Sequence, residues 1–238
     1  MQMRNKGKLF LIPTAIAAVS ADTFLPPKVK EDVASLRQFL AEDVRTARRY
    51  LSSLGIFASI EELAFSVLDK DTSPDELQSL CAPLLEGRSM GILTESGCPG
   101  VADPGALAVA YAHKVGVQVV PLVGPSSLLL ALMASGLNGQ RFAFHGYLPI
   151  NKTETARAIA VLEKESRARQ QTQIFIETPY RNNRLLENLL RHLAPGTRLC
   201  IAVDITGTDE SIKTREVGEW RKSPPELPKL PAVFLFLA

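Results

Sequence analysis

Cysteine, histidine and tryptophan are scarce in this 238-residue chain, at three, three and one. Cys81, Cys98 and Cys200 lie too far apart for a disulfide framework or a thiolate zinc site, and they fit a reducing, cytoplasmic setting. With only His113, His145 and His192 beside them, no resident metal is expected. No apolar run approaches the roughly 20 residues that a membrane-crossing helix needs, so no membrane partner is expected either. Charge of one sign is also missing: 27 Lys and Arg stand against 25 Asp and Glu, and no long-range field dictates a nucleic-acid partner. Local basic patches remain open. Neither a GxGxxG spacing nor a GK[ST] ending occurs, which weakens dinucleotide and P-loop readings.

What the chain has is apolar content, 46% of its residues, enough for one large domain or two small ones. Its most informative stretch is residues 90–116, MGILTESGCPGVADPGALAVAYAHKVG. A short apolar run gives way to Gly97, Pro99, Gly100, Pro104 and Gly105 and then to small apolar residues, which spells strand, glycine-rich loop and helix. At the carboxyl end of a strand in an α/β sheet, such a loop lets a ligand approach the backbone closely. Asp103 and Pro104 stand where an N-cap and a first-turn proline belong. An ordinary tight turn closed by a cap is the other reading of the same residues.

The basic residues Arg4 to Lys8, the run LFLIPTAIAAV and the small residues 19–21 imitate a secretory signal, but Pro13 interrupts the run and Leu9 to Ile12 reads equally as a first buried strand. Apolar residues from Val33 to Leu54 recur at helical spacing and favour one continuous amphipathic helix, with a short strand at 39–41 as the alternative. Residues 59–69 are expected to be helical, and 74–85 form a helix opened by Ser73 and Pro74. Strand 90–94, helix 106–115 and strand 117–123 make a βαβ unit with parallel strands. Helix 128–135 follows the hydroxyl pair Ser126 and Ser127, which reads first as capping. Beyond it come strand 142–148, a charged surface helix over 153–169, strand 173–177, helix 181–193, strand 198–205, an antiparallel edge within 211–220 and a strand at 232–237 buried inside its sheet. The alternation predicts two α/β lobes, 1–123 and 124–238, with a ligand crevice between them.

Several of these stretches together resemble one family. TESGCPGVADPG resembles the SDAGTPxxSDPG loop of the tetrapyrrole methylase superfamily, and PLVGPSSLLLALMASGL and RFAFHGYLP resemble its PxPGPSAxxxALxxSGL and RFxFxGFLP segments. LIPTAI, AEDVR, IFIETPYR and AVDITGTDESIKTREVGEW are similar to LxxTPIGN, AEDTR, IFYESPHR and ARELTKxxEExxRG of the ribosomal RNA small-subunit methyltransferase I branch. The matches run in order along almost the whole chain. The resemblance implies a homodimer of two α/β lobes with S-adenosylmethionine in the cleft between them, and methylation of a cytidine ribose 2′-hydroxyl. Position by position, it implies that Pro13, Glu95, Ser96, Gly97, Cys98, Pro99, Val101, Ser126 and Ser127 line the cofactor side of the first lobe, with Pro231 and Ala232 near the adenine. Departures fall at the acceptor mouth: Ala17 and Ala18 replace GN, Val44 replaces the Thr of EDTR, Asp69 to Asp71 stand where an HNE-like triplet is usual, and Tyr180 replaces a His. Members of the branch continue into a further small helical domain, so the resemblance speaks more directly for methyl transfer than for its RNA target.

A sulfonium carries its own leaving group, so the protein has only to align the acceptor and exclude water. A ribose hydroxyl also benefits from a base, for which Asp43 and Glu95 are the candidates. Each has an alternative role, Asp43 in pairing with Arg45 or Arg48 and Glu95 in holding cofactor or closing a turn. Arg45, Arg48, Arg49, Arg181 and Arg184 are candidate contacts to ribosomal RNA or the small ribosomal subunit, or else solvated helix faces. Two other functions stay open: methylation of a tetrapyrrole or other small molecule, and a non-catalytic module that binds S-adenosylmethionine.

Overall fold

The computed structural model describes residues 6–19 and 21–238; the signal-like reading at Arg4 and Ser20 lies outside them. Contacts divide the chain into two compact units between Ser126 and Ser127.

The first unit is built on strands β1 (Lys8–Ile12), β2 (Gln38–Ala41), β3 (Ala64–Val67), β4 (Met90–Leu93) and β5 (Gln118–Pro121), in the order β3-β2-β4-β1-β5. Every neighbouring pair is parallel, so all five carboxyl ends share one edge. A parallel sheet has to be covered on both faces, and the period-two alternation of the strands supplies both. Ile12, Phe39, Ala41 and Leu93 pack with Val29 and Val33 of α1 (Pro27–Ala34) and Ala47 and Leu51 of α2 (Val44–Ser53). Leu9, Leu40, Met90 and Ile92 pack with Leu77, Cys81 and Leu84 of α3 (Pro74–Leu85) and Ala108 and Ala112 of α4 (Gly105–Lys114).

Two local expectations are corrected here. The continuous helix over 33–54 is broken by β2, because Phe39 and Leu40 are buried on opposite faces of the sheet and helical spacing cannot use both. Within 59–69 the chain forms the edge strand β3 rather than a helix. Phe65 stacks on Phe39 with ring centroids 5.5 Å apart, and pairing with β2 overrides a pattern compatible with either period.

The second unit begins with α5 (Ser127–Ser135) and holds strands β6 (Phe142–Tyr147), β7 (Thr172–Glu177), β8 (Arg198–Val203), β9 (Ser211–Glu216) and β10 (Ala232–Leu237), in the order β6-β7-β10-β8-β9. Only β6 and β7 are parallel. The terminal apolar run takes the centre and is buried at every position. One face carries α6 (Lys152–Arg169), α7 (Asn182–His192) and the short α8 (Val217–Lys222) over Phe175, Phe234 and Phe236. Residues 217–222 therefore leave the edge strand expected over 211–220 and turn back as a helix that buries Trp220, whose Nε1 donates to Leu199 O at 2.9 Å. Among the described residues no helix is long and apolar enough to cross a membrane.

Candidate functional site

In the first unit, β1 and β4 are central neighbours, but the chain leaves β1 toward β2 and leaves β4 toward β5. Right-handed connections then carry it to opposite faces, as the separate packing of α1 and α2 from α3 and α4 bears out. Where outgoing loops part in this way, a crevice forms at the carboxyl edge.

The β1 loop begins with Pro13 and Thr14, both buried. Thr14 N donates to Gly97 O at 2.9 Å, tying this loop to the one after β4. Tyr50 reaches back from α2 and donates its hydroxyl to Pro13 O at 2.7 Å; burial pushes its phenol well above the ordinary range, so it stays a neutral donor. Pro13 also presses on Gly124, where an added Cβ would fall 2.2 Å from the proline ring. The Thr14 hydroxyl is buried without a hydrogen-bond partner, an unmet polar group of the kind that a bound ligand satisfies.

After β4 the backbone turns left-handed at Gly97 and Gly100, with φ of +79° and +82°, and at Ala102, with φ of 58°. A side chain at Gly97 would be strained by its φ, and its Cβ would lie 3.3 Å from Ile16 Cγ2. Asp103 Oδ1 accepts from Gly100 N at 2.5 Å and Gly105 N at 2.8 Å, fixing the loop against the start of α4. The N-cap position itself belongs to Pro104, so Asp103 acts one residue earlier than a standard cap. Cys98 donates its thiol to Pro125 O at 3.2 Å, and burial raises its pKa, which makes it a structural thiol rather than a nucleophile. Among the described residues the amides of Ser96, Gly97 and Cys98 find no protein acceptor. Glu95 and Ser96 are exposed, Pro99 is buried and Val101 is 48% exposed. Pro13, Thr14 and residues 95–101 thus form one braced edge with free donors.

At the neighbouring ends of β2 and β4, Glu42, Asp43, Thr94 and Glu95 line a shallow cleft. Asp43 is the N-cap of α2: its Oδ1 accepts from Thr46 N at 2.7 Å, and this hydrogen bond holds its carboxyl below the usual range. Glu42 goes the other way, its pKa raised first by partial desolvation and then by the carboxylates of Glu95, Asp103 and Asp69. Sequence patterning overlooked Glu42, because nothing in AEDVR says which carboxylate caps the helix and which faces other acids. A wider groove of about 640 Å³ lies off this edge, at the end of β3. Its lining carboxylates Asp69, Asp71, Asp75 and Glu76 disfavour an anionic occupant, and Glu76 is already engaged in a capping box with Ser73.

Ser126 closes the first unit and Ser127 opens α5, both half-buried. In the second unit, Pro231 is exposed and Ala232 starts β10, paired with Glu177 and Val203. The arginines differ. Arg45 and Arg49 stand exposed on α2, whereas the Arg48 guanidinium lies 5.0 Å from the Phe65 ring centroid. Arg181 is paired with Glu177 at 2.6 Å, and Arg184 donates to Ile150 O at 3.0 Å while remaining exposed. No group of three or more metal-ligating side chains occurs among the described residues.

Comparison with solved structures shows the fold. The chain resembles the methyltransferase CobJ, with a TM-score of 0.62 and 19% identity over 97% of this chain and 94% of that one. It also resembles diphthine synthase, with a TM-score of 0.65 and 14% identity over 97% and 89%. The uroporphyrin-III-C-methyltransferase of Thermus thermophilus matches with a TM-score of 0.56 and 19% identity over 97% and 92%. No protein-family model matches the chain. Curated relatives do: ribosomal RNA small subunit methyltransferase I of Escherichia coli O157:H7 is 30% identical over 215 residues, 90% of this chain and 71% of that protein. The protein of that name from Halalkalibacterium halodurans is 30% identical over 210 residues, 88% and 68%. With an identity at this level over nearly its full length, and a fold shared with other methyltransferases, the chain belongs to the ribosomal RNA small subunit methyltransferase I family.

Proposed function

We propose that this methyltransferase uses S-adenosylmethionine to methylate a ribose 2′-hydroxyl of small-subunit ribosomal RNA, with the cofactor held at the β1 and β4 ends of the first unit. The observation that carries this reading is the braced edge itself: the left-handed Gly97, the unpartnered Thr14 hydroxyl and the free amides of residues 96–98. These suit the polar groups of a nucleoside ligand, with Val101 offering apolar surface beside them. When bound, the cofactor supplies an electrophilic methyl on sulfur. The protein then has to exclude water, hold the acceptor oxygen in line with that methyl and receive the hydroxyl proton.

For the proton, Glu42 is a better acceptor than Asp43. Asp43 is committed to Thr46 and held in its charged form, whereas the environment of Glu42 favours the proton. Glu95 lines the same cleft and either shares this task or orients the ribose. Of the five candidate arginines, Arg45 and Arg49 are exposed and their guanidinium groups have no ring, ion-pair or hydrogen-bond partner among the described residues, which leaves them for phosphate contact. Pairing into a homodimer is supported by α5, which leaves Leu129 and Met133 exposed at 51% and 78% on one side of an almost wholly apolar helix.

The test is methyl-labelled cofactor offered together with small-subunit ribosomal RNA, assembled small subunits and a uroporphyrinogen. Label on a ribose of the RNA is expected, and Glu42→Gln should lower kcat while leaving cofactor affinity unchanged. Label confined to the tetrapyrrole would overturn the acceptor, and binding of S-adenosylhomocysteine without label anywhere would overturn catalysis.

A further inference from the structure

At the edge of the second sheet where β10 begins, the turn after β7 carries Tyr180, which at 84% is the most exposed of the large apolar and aromatic side chains among the described residues. Its backbone is not loose. Glu177, with its side chain only 7% exposed, accepts from Arg181 Nε at 2.9 Å and from Thr178 N at 2.7 Å. The next two residues clamp this turn to the segment before β10: Asn182 Nδ2 donates to Leu230 O and Asn183 Nδ2 to Leu227 O, each at 2.8 Å, while Leu227 N donates back to Asn183 Oδ1 at 2.7 Å. That clamped segment carries Lys229, whose Nζ lies 5.8 Å from the Tyr180 ring centroid. No carboxylate among the described residues pairs with Lys229.

A fixed backbone that holds an aromatic ring in water, with a cation against it, has no packing purpose. A large ring on a preorganised turn loses little entropy on binding, and a nucleobase has a π-face of matching size and chemistry. The dimple beside it, lined by Arg181, Arg184 and Pro149, has room for about one water at roughly 20 Å³, so a base cannot enter there and has to lie on the ring. Lys229 against the ring and the exposed Arg184, four residues further along the chain from Tyr180, supply positive charge suited to the adjoining phosphates. We propose that Tyr180, with Lys229 against its ring and Arg184 on the following helix, is a stacking platform for an unpaired base of the RNA acceptor, an inference that rests on the RNA-methylating reading above. The platform shares its sheet edge with Pro231 and Ala232, since Ala232 pairs with Glu177 three residues before the ring.

Fluorescence anisotropy of a labelled single-stranded fragment of small-subunit ribosomal RNA, measured on the full chain with S-adenosylhomocysteine present, tests this. Tyr180→Ala should weaken RNA binding about 5- to 150-fold, and Tyr180→Trp should retain it. Removing the neutral ring should leave the salt dependence unchanged, whereas Lys229→Gln should reduce the slope of log affinity against log salt by about 0.7. Homocysteine-nucleoside affinity and the unfolding midpoint should not move, because neither side chain is packed. In methyl transfer, Tyr180→Ala should raise KM for RNA more than it lowers kcat. Wild-type binding with an unaffected Tyr180→Ala overturns the platform alone; unchanged RNA affinity with a dissociated dimer overturns it in favour of a protein contact; and a wild-type protein that binds no RNA overturns the platform and the RNA reading together.

Discussion

The two sheets have five strands each and solve the placement of a site differently. In the first, every neighbouring pair is parallel, so all the loops that follow strands gather on one edge, and the left-handed backbone at Gly97, Gly100 and Ala102 lies there with Thr14 and Glu42. In the second, β10 runs against both of its neighbours, so the edge that carries the turn after β7 also carries the start of β10. A parallel sheet collects donors from loops; a mixed one sets a rigid strand end beside a loop. The first arrangement suits close backbone approach to a small ligand, and the second suits a firm platform for something larger. The difference also appears in the cores, where Phe175, Phe234 and Phe236 cluster under α6, α7 and α8 in the second unit while the ring packing of the first is centred on Phe39, against Phe57 and Phe65.

The sharpest way to separate the units is to weaken one of them. Phe234→Ala removes a fully buried ring stacked 6.0 Å from Phe175 and should cost about 3–5 kcal/mol, seen as an early calorimetric transition of the second unit. A single cooperative transition shifted as a whole would show that the units unfold together. Gly97→Val comes next. Left-handed backbone costs an L-residue roughly 1–2 kcal/mol, and the larger result should be loss of measurable S-adenosylhomocysteine binding by calorimetric titration. Unchanged affinity would remove the close-approach reading of this loop.

The smallest effect lies at Asp43. Asp43→Asn keeps an acceptor for Thr46 N and should leave both the unfolding midpoint and kcat near wild type, whereas Asp43→Ala should lower the midpoint. A large loss of kcat in the asparagine variant would reinstate Asp43 as the base. Because the folded protein depresses this pKa, the stabilisation is present above the unfolded carboxylate value and is lost as pH falls through the folded one. Glu42 has the opposite sign: its raised pKa favours folding at low pH, and that contribution disappears as pH rises through the folded value. The midpoint difference between wild type and Glu42→Gln, followed between pH 3 and 8, should reveal it.

Much of this was legible in the residues. The glycines and prolines of 97–105 announced a tight loop between a strand and a helix, the apolar run 232–237 announced a buried strand, and the ordered resemblance indicated the family. What patterning misread were the places where one sequence satisfies two periods. Residues 33–54 fit one helix until a parallel sheet needs Phe39 and Leu40 on opposite faces, and residues 59–69 fit one until Phe65 finds Phe39. Asp43 and Arg181 looked like chemistry because carboxylates and guanidiniums do chemistry, but each is engaged locally, one as a cap and the other in an ion pair. Tyr180 looked like a substituted position in a motif, and only the hydrogen bonds clamping its turn to residues 227–230 show how firmly it is held.

The sequence by itself determined the alternation of strands and helices, the left-handed bends that only glycine takes easily, and the family. Those depend on residue spacing and local backbone energetics, which are written in consecutive positions. Tertiary structure alone decided that Thr14 meets Gly97, that Tyr50 holds Pro13, that Glu42 faces other acids and that Lys229 lies against Tyr180. Each is a meeting of residues separated by dozens of positions, and it depends on strand order and register, which no local pattern encodes.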